Sequence, residues 1–207
     1  MRKFGTDFAV GSDIGGMETH LTDAELFDRS VSEPAVFGAL YDRHRVAVRR
    51  YVMRRVGASD GEDLAAEVFT RAFRSRRRYR AQHDSALPWL MGLANNVIAD
   101  HRRIERRRLA TLERLASDDR EHVEDRDGGL TVEVVRALRA LPAIYRDALL
   151  LSVWGELSRD EVATALGVPA GTVDSRIARA RKRLASDLAP TRQAPSTELR
   201  LTGDGNV

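Results

Sequence analysis

The stretch "ALGVPAGTVDSRIARARKRL", residues 165–184, decides the fold of the second half of this chain. A short apolar run passes through two glycines and a proline into a segment rich in arginine. Apolar residues then recur at steps of four, three and four, which is the spacing of one buried helix face: Val173, Ile177, Ala180 and Leu184. The opposite face carries polar and basic residues: Ser175, Arg176, Arg179, Lys182 and Arg183. The stretch therefore predicts a helix that is basic on its exposed side.

A shorter helix is predicted just before this one. Ser158 and Glu161 have the spacing of a capping box, and Gly167 suits the left-handed turn that ends a helix. We expect Thr172 to cap the following helix. Two short helices joined by a tight turn form a helix-turn-helix, whose second helix lies in the major groove of DNA. Arginine suits that helix because its planar fork binds guanine or phosphate, whereas the alternative is a basic surface helix of a small bundle.

Charge is distributed unevenly along the chain. The 207 residues are 43% hydrophobic, which suits globular domains, and only 6% aromatic, which favours helices over sheets. The net charge of +3 conceals six arginines in residues 71–80 and five in residues 101–108. Six acids lie in residues 117–129. A polyanion responds to such local blocks more than to the total charge, so nucleic acid is a candidate partner.

Several classes of protein are excluded by what the sequence lacks. It has no cysteine, which excludes disulfides, thiolate catalysis and cysteine-ligated zinc. No run approaches the roughly 18 apolar residues that span a bilayer, and no signal-peptide core is present, so we expect a soluble, cytoplasmic protein with no membrane contact. The five histidines are scattered, and we expect no metal site, no cofactor and no catalytic residues.

Apolar periodicity divides the chain into five segments. Residues 1–32 are expected to form a loosely ordered extension, with one short helix capped by Thr22 and Glu25. Two helical domains are predicted over 33–112 and 130–189, joined by the acidic, flexible linker 113–129. Residues 190–207 are expected to form a disordered tail. No strand alternation of useful length occurs, so the predicted fold is all-α, with two small helical domains.

The second domain resembles region 4 of the extracytoplasmic-function (ECF) sigma factors of the sigma-70 family. Residues 166–176 follow the family pattern Leu-Gly-x-Pro-x-Gly-Thr-Val-x-Ser-Arg. Asp174 departs from the family, which often has Lys or Arg there, and an acid would repel phosphate or accept from a cytosine amino group. The resemblance implies that the helix binds the −35 promoter element through Thr172, Ser175, Arg176, Arg179, Lys182 and Arg183.

The first domain resembles region 2 of the same family. Residues 62–73 are similar to the motif Asp-Leu-x-Gln-Glu-x-Phe, by which members dock on the clamp helices of the polymerase's largest subunit. Ala66 stands where the family usually has Gln. The implied polymerase-binding residues are Asp63, Leu64, Glu67 and Phe69. Taken alone, the segment is better explained as an ordinary amphipathic helix with an acidic first turn.

Residues 89–108 resemble the family's helix that recognises and opens the −10 element. Three of the matching residues, Asn96, Asp100 and Arg103, are spaced four and three apart and so share one polar face. The preceding loop, residues 79–88, would hold a base flipped out of the DNA, with Gln82 and His83 among the residues that line its pocket. The implied −10 surface is Tyr79, Arg80, Asn95, Asn96, Asp100 and Arg103, although Asn95 replaces the usual Arg.

Two residue groups in this domain have a simpler interpretation. Trp89 is better explained as an anchor of the hydrophobic core. The alternative for the arginine block 71–80 is a solvated surface, but so dense a block repels itself without a phosphate partner, which favours a phosphate contact.

The resemblance implies a transcription initiation factor and not an enzyme. Its partners would be core RNA polymerase, at the clamp helices and the flap, and promoter DNA. An anti-sigma factor is a common further partner in the family, although no residue here requires one. A response-type regulator with a helix-turn-helix would carry an α/β receiver upstream, and residues 34–110 have neither the strand-rich runs nor the clustered acids of one. A free nucleic-acid-binding module would lack the docking motif.

Overall fold

The computed structural model describes residues 21–113 and 131–189. Within these ranges there are no β-strands, which confirms the predicted all-α class. The acidic segment and the C-terminal tail predicted from the sequence lie outside the described residues, apart from Glu113, and the five-segment division stays a prediction. The helices are α1 (Asp23–Ser32), α2 (Phe37–Val56), α3 (Ala58–Ser75), α4 (Leu87–Glu113), α5 (Val132–Ala140), α6 (Ala143–Val153), α7 (Arg159–Leu166) and α8 (Ala170–Asp187).

Helix α1 begins at the predicted capping box. The Thr22 hydroxyl accepts a hydrogen bond from the Glu25 N–H, and the Glu25 carboxylate accepts one from the Thr22 N–H at 2.7 Å. Leu26 and Phe27 of this helix are fully buried. Residues 23–32 therefore form the short capped helix expected from the sequence, and this helix is part of the packed first unit.

An aromatic cluster joins α1 to the start of α4. The Phe27 ring stacks on Tyr79 with 4.0 Å between centroids, and Trp89 contacts both rings edge-on at 5.3 Å. Such pairs add to the free energy of burying the rings themselves. The interpretation of Trp89 as a core anchor is therefore confirmed.

Asp23 is a buried carboxylate at the junction of α1, α2 and α4. It is 2% exposed, lies 2.7 Å from His44 Nε2, accepts the backbone N–H of Ala86 at 2.6 Å and pairs with Arg43. Burial alone would raise the pKa of Asp23, but the hydrogen bonds from His44, Ala86 and Arg43 outweigh it and lower the pKa to about 2. The ionised carboxylate thus connects three elements that are distant in sequence.

The second unit contains the predicted helix-turn-helix, α7 and α8. The Ser158–Glu161 capping box starts α7, and Gly167 ends it in the left-handed conformation with a φ of 62°. Val173 and Ala180 of α8 are fully buried. The predicted N-cap, Thr172, is wrong: α8 starts at Ala170 with Pro169 at the cap, and the Thr172 N–H already donates to the Pro169 carbonyl at 2.9 Å.

The two helical units are in contact, which the sequence pattern did not predict. Helix α7 packs against α4. Arg55 of α2 donates to the Asp147 carboxylate of α6 at 2.7 Å, and Arg50 of α2 donates to Glu156 at 2.8 Å. The described helices therefore pack together, and α4 and α2 form the first unit's side of the contact between the two units.

Replacement of Asp23 by asparagine should lower the free energy of unfolding near neutral pH by about 2 kcal/mol, because a lowered carboxyl pKa is a stability contribution. This contribution is complete above the ordinary pKa of 3.8 and disappears as the pH falls through about 2. Urea unfolding of wild type and Asp23→Asn across that range measures it. Asp42→Asn is the matched control, because Asp42 is exposed and pairs with Arg45 on the surface. An Asp23→Asn effect that is as large near pH 2 as at neutral pH would contradict this account.

Candidate nucleic-acid interface

Helix α8 places the six predicted −35 residues on one side. Ser175, Arg179, Lys182 and Arg183 are exposed, whereas Thr172 and Arg176 are half-buried. The Ser175 hydroxyl donates to the Thr172 carbonyl at 2.9 Å, and the Arg183 guanidinium lies 5.5 Å from the centroid of the Tyr145 ring of α6. Arg176, Arg179 and Lys182 thus form the centre of an exposed cationic surface on a helix whose other side is buried.

The departure at Asp174 has a structural explanation. Asp174 Oδ2 lies 3.4 Å from Arg159 Nη1, so the acid pairs with the first residue of α7. Helix geometry places Asp174 roughly 140° around the axis from the midpoint of the six −35 residues. Both partners are exposed, so the pair contributes little to stability. The acid therefore lies outside the basic surface and does not oppose phosphate there.

Helix α4 presents Asn96 and Arg103 to solvent on the predicted polar face. Asp100 lies half-buried between two arginines, 2.8 Å from Arg71 Nη1 and 2.6 Å from Arg103 Nη2. The hydrogen bond from Arg71 holds the pKa of Asp100 below its usual range, so the residue is ionised and already paired. Asn96 and Arg103 are consequently the α4 residues on this face that are most accessible to a nucleic acid.

Asn95 is wrong as a DNA contact, because it faces the protein interior. Its Oδ1 accepts hydrogen bonds from the Tyr51 hydroxyl at 2.7 Å and from Arg55 Nη1 at 3.0 Å. Burial raises the pKa of Tyr51 to about 12, so the phenol keeps its proton and remains a donor. One residue advances a helix by about 100°, which is why Asn95 and its neighbour Asn96 lie on different faces. Asn95 therefore fixes α4 against α2.

The predicted base-binding loop surrounds a small cavity of about 80 Å³. Tyr79 forms part of its wall, but that ring is 8% exposed and stacked on Phe27, so Tyr79 serves the core as well. Arg80 is exposed, and its guanidinium donates to the carbonyls of Arg77 and Tyr79. Thr164 of α7 also lines the cavity. The loop residues are thus brought together as predicted, with a residue of the second unit among them.

Helix α3 exposes only part of the predicted polymerase-binding motif. Asp63 is exposed, and Leu64 and Glu67 are half-buried. Phe69 is 6% exposed and packs edge-on against Tyr41 with 4.9 Å between centroids, and it lines the groove between α2 and α3. Its role as a polymerase contact stays a prediction.

A groove between α2 and α3 adds residues that the sequence pattern did not identify. Its volume is about 660 Å³, and Tyr41 and Val46 on its wall are 45% and 64% exposed. Ala66, where the family usually has Gln, also lines it. One feature of the sequence could have indicated this groove: Val46 is apolar but falls outside the buried stripe of α2. Basic and acidic side chains complete the groove: Arg45, Arg49, Arg50, Arg54 and Glu62.

A chain of ion pairs connects α3 to α4. Arg71 Nε donates to Glu67 at 2.8 Å, while its Nη1 donates to Asp100, which in turn accepts from Arg103. The hydrogen bonds that Arg71 donates to Glu67 and Asp100 raise its pKa. Glu67 and Arg103 are thereby held in fixed relation across α3 and α4.

The arginines of residues 71–80 divide into some that hold the fold together and some that are exposed to solvent. Arg76 is structural, because its guanidinium lies 3.9 Å from the Phe73 ring centroid and donates to the Ser30 carbonyl at 3.0 Å. The exposed members are Arg74, Arg77, Arg78 and Arg80. Across residues 21–113 and 131–189, no cluster of side chains suitable for a metal ion is found, and no helix is long and apolar enough to span a bilayer.

The chain is similar to known proteins over both units. Residues 40–108 match the Sigma-70 region 2 family, and residues 131–184 match the Sigma-70, region 4 family. The ECF RNA polymerase sigma factor SigC of Mycobacterium tuberculosis is 36% identical over 148 residues, which are 69% of this chain and 78% of SigC. SigE of Mycolicibacterium smegmatis is 34% identical over 179 residues, which are 81% of this chain and 68% of SigE.

A solved structure supports the same fold. CnrH, in complex with the cytosolic domain of CnrY, superposes with a TM-score of 0.56 at 24% identity, over 79% of this chain and 95% of CnrH. The two matched regions contain the surfaces described above, on α3 and α4 in one and on α8 in the other. The chain therefore belongs to the extracytoplasmic-function RNA polymerase sigma factors of the sigma-70 family, which are transcription initiation factors rather than enzymes.

Proposed function

We propose that three surfaces of this sigma factor divide the work of promoter recognition. Helix α8 binds the −35 element as duplex, the exposed face of α4 with the loop before it binds and opens the −10 element, and α3 with the adjoining groove binds core RNA polymerase. The observation that carries this proposal is the cationic surface on α8. This helix is the second helix of a helix-turn-helix whose first helix is capped, and its basic side is exposed.

The −35 contact rests on charge and geometry together. Arg179 and Lys182 are exposed and Arg176 is half-buried, on the side of α8 opposite Val173 and Ala180. An arginine guanidinium donates two parallel hydrogen bonds, either to the two acceptors on the major-groove edge of guanine or to two oxygens of a phosphate. Arg183 is held over Tyr145, which positions it for phosphate contact at the edge of the surface.

The −10 contact rests on α4. Asn96 can donate to and accept from the edge of an unpaired base, and Arg103 supplies positive charge about two helical turns further along. Arg74, Arg77 and Arg78 are exposed before the loop, where they favour the phosphates of a separated strand. Trp89 and Tyr79 form the rigid floor of the loop.

The polymerase contact rests on the groove between α2 and α3. Its exposed apolar residues, Tyr41 and Val46, lie among charged side chains, which is the arrangement that accepts an amphipathic helix. The clamp helices of the polymerase are helical partners of this kind. A flap contact by the second unit, an anti-sigma partner and action in the cytoplasm stay predictions from the family.

Removal of two positive charges from the basic side of α8 should weaken use of the −35 element. The double substitution Arg176→Gln and Arg179→Gln removes two contacts worth about 1–3 kcal/mol each, so promoter-specific transcription should fall by at least about tenfold. The measurement is run-off transcription with core polymerase at several salt concentrations. Arg181→Gln is the matched control, because Arg181 is exposed on the same helix but lies on another side of it. Equal transcription by the double variant and wild type would contradict the assignment of α8.

A charge placed in the groove should weaken polymerase binding. Val46→Asp puts a carboxylate on an exposed wall of the groove, so the fold should persist while the affinity for core polymerase falls at least about tenfold. Co-purification and fluorescence titration with core polymerase measure this. Val132→Asp is the control, because Val132 is also exposed, at the start of α5, and an acid is compatible with a helix N-terminus. Unchanged affinity in Val46→Asp would exclude the groove from the interface.

A further inference from the structure

Arg71 of α3 bridges two carboxylates that belong to different helices. Its Nε donates to Glu67, four residues earlier on α3, at 2.8 Å, and its Nη1 donates to Asp100 Oδ2 of α4 at 2.8 Å. By sequence Arg71 is the first residue of the arginine block 71–80, yet its side chain is only 34% exposed. A planar guanidinium held at two of its nitrogens has a fixed orientation, which a flexible ammonium group would lack. The bridge therefore fixes Asp100 from the side of α3.

The bridged carboxylate lies in the middle of the α4 face proposed to bind the −10 strand. Asn96 precedes Asp100 by four residues and Arg103 follows it by three. Side chains at these spacings are neighbours on a helix surface, about 5–6 Å apart at Cβ. A free carboxylate here would oppose nucleic acid in two ways, because it would repel the phosphates and would compete with them for Arg103. Recognition of a strand by this face therefore depends on what neutralises Asp100.

Arg71 supplies most of that neutralisation. It binds Oδ2 of Asp100, whereas Arg103 Nη2 donates to Oδ1 at 2.6 Å. The hydrogen bond from Arg71 is the main cause of the lowered pKa of Asp100, ahead of the charge of Arg103. Arg103 donates to the carboxylate through that one nitrogen, and its side chain is 59% exposed. Because Arg71 takes the other oxygen, most of the Arg103 guanidinium stays available to a DNA strand.

The fold does not depend on this bridge. Glu67, Arg71 and Asp100 are each 34–38% exposed, and ion pairs of this exposure contribute little to the free energy of unfolding. Helices α3 and α4 pack together through the buried core, which includes Ala72 of α3 and Ile98 of α4. Loss of Arg71 should therefore leave the fold intact and change the charge environment of Asp100.

We propose that Arg71 is a positioning residue for recognition of the −10 element, because it holds Asp100 so that the carboxylate neither captures Arg103 nor repels the separated strand. The proposal rests on the function proposed above for α4. Arg71 does not itself contact the DNA, and its effect passes through Asp100. The acid on an otherwise DNA-compatible face of α4 is thus compensated from α3.

The test uses purified holoenzyme, formed from core polymerase and the full-length chain. Its probe is a promoter fragment identified by run-off transcription, with the −10 region kept unpaired by mismatches, and fluorescence anisotropy gives the Kd. Four chains form a double-mutant cycle: wild type, Arg71→Gln, Asp100→Asn and the double variant. Arg29→Gln is the matched control, because it removes the same charge from an exposed ion pair of α1, that of Arg29 with Glu33.

Arg71→Gln should raise the Kd about threefold, which is the size of effect that an exposed charge pair has. In the Asp100→Asn background the same substitution should have no effect, since no carboxylate is left to hold. Arg71→Lys keeps the charge, but its single nitrogen cannot serve both Glu67 and Asp100, so it should also raise the Kd, by less than Arg71→Gln does. Arg29→Gln should bind as wild type does, and urea unfolding of the free chain should have nearly the same midpoint in wild type and Arg71→Gln.

An equal loss of affinity with and without the Asp100 carboxylate would mean that Arg71 acts through its own charge, and it would overturn the proposal. An unchanged Kd in Arg71→Gln would overturn it as well. Arg103→Gln on the same fragment tests the function proposed for α4 separately. If Arg103→Gln weakens binding and Arg71→Gln does not, only the role of Arg71 fails. If Arg103→Gln binds as wild type does, the function proposed for α4 itself fails, and the proposal with it.

Discussion

Burial of one face of α4 against α2 and α3 is the packing interaction on which the rest of this structure depends. Leu90, Ala94, Val97 and Ile98 are almost fully buried, and this stripe fixes the rotation of the helix about its axis. The rotation in turn decides which side chains reach solvent. Asn96 and Arg103 point outward, while Asn95 is turned into the hydrogen-bond network of Tyr51 and Arg55. A third strip of the same helix, at Gly92, receives α7.

The helix-turn-helix depends on local interactions that are independent of α4. A capping box starts α7, the left-handed Gly167 ends it, and Pro169 sets the start of α8. Two fully buried residues of α8 then hold the helix against its neighbours and leave its basic side exposed. The shape of this unit is therefore set by its own residues. The ion pairs Arg50–Glu156 and Arg55–Asp147 connect it to α2 of the first unit.

Helix positions, both capping boxes and the basic side of α8 were predictable because they follow from residues within a few positions of one another. Side-chain exposure was less predictable, because it depends on residues far apart in sequence. Asn95 occupies a motif position, yet its hydrogen bonds with Tyr51 and Arg55 turn it inward. The contact of α7 with α4 was not predictable, because it joins residues far apart in sequence and its only local trace is a glycine inside a helix.

The most direct test of the central claim is run-off transcription on sheared genomic DNA by bacterial core RNA polymerase with and without the purified chain. The account predicts a stable complex with core polymerase and discrete start sites that depend on the chain. Upstream of these starts, shared −10 and −35 elements should be found at a constant spacing. Duplex DNA binding by the chain without polymerase association, and with no new start sites, would contradict the account and indicate a helix-turn-helix regulator of another class.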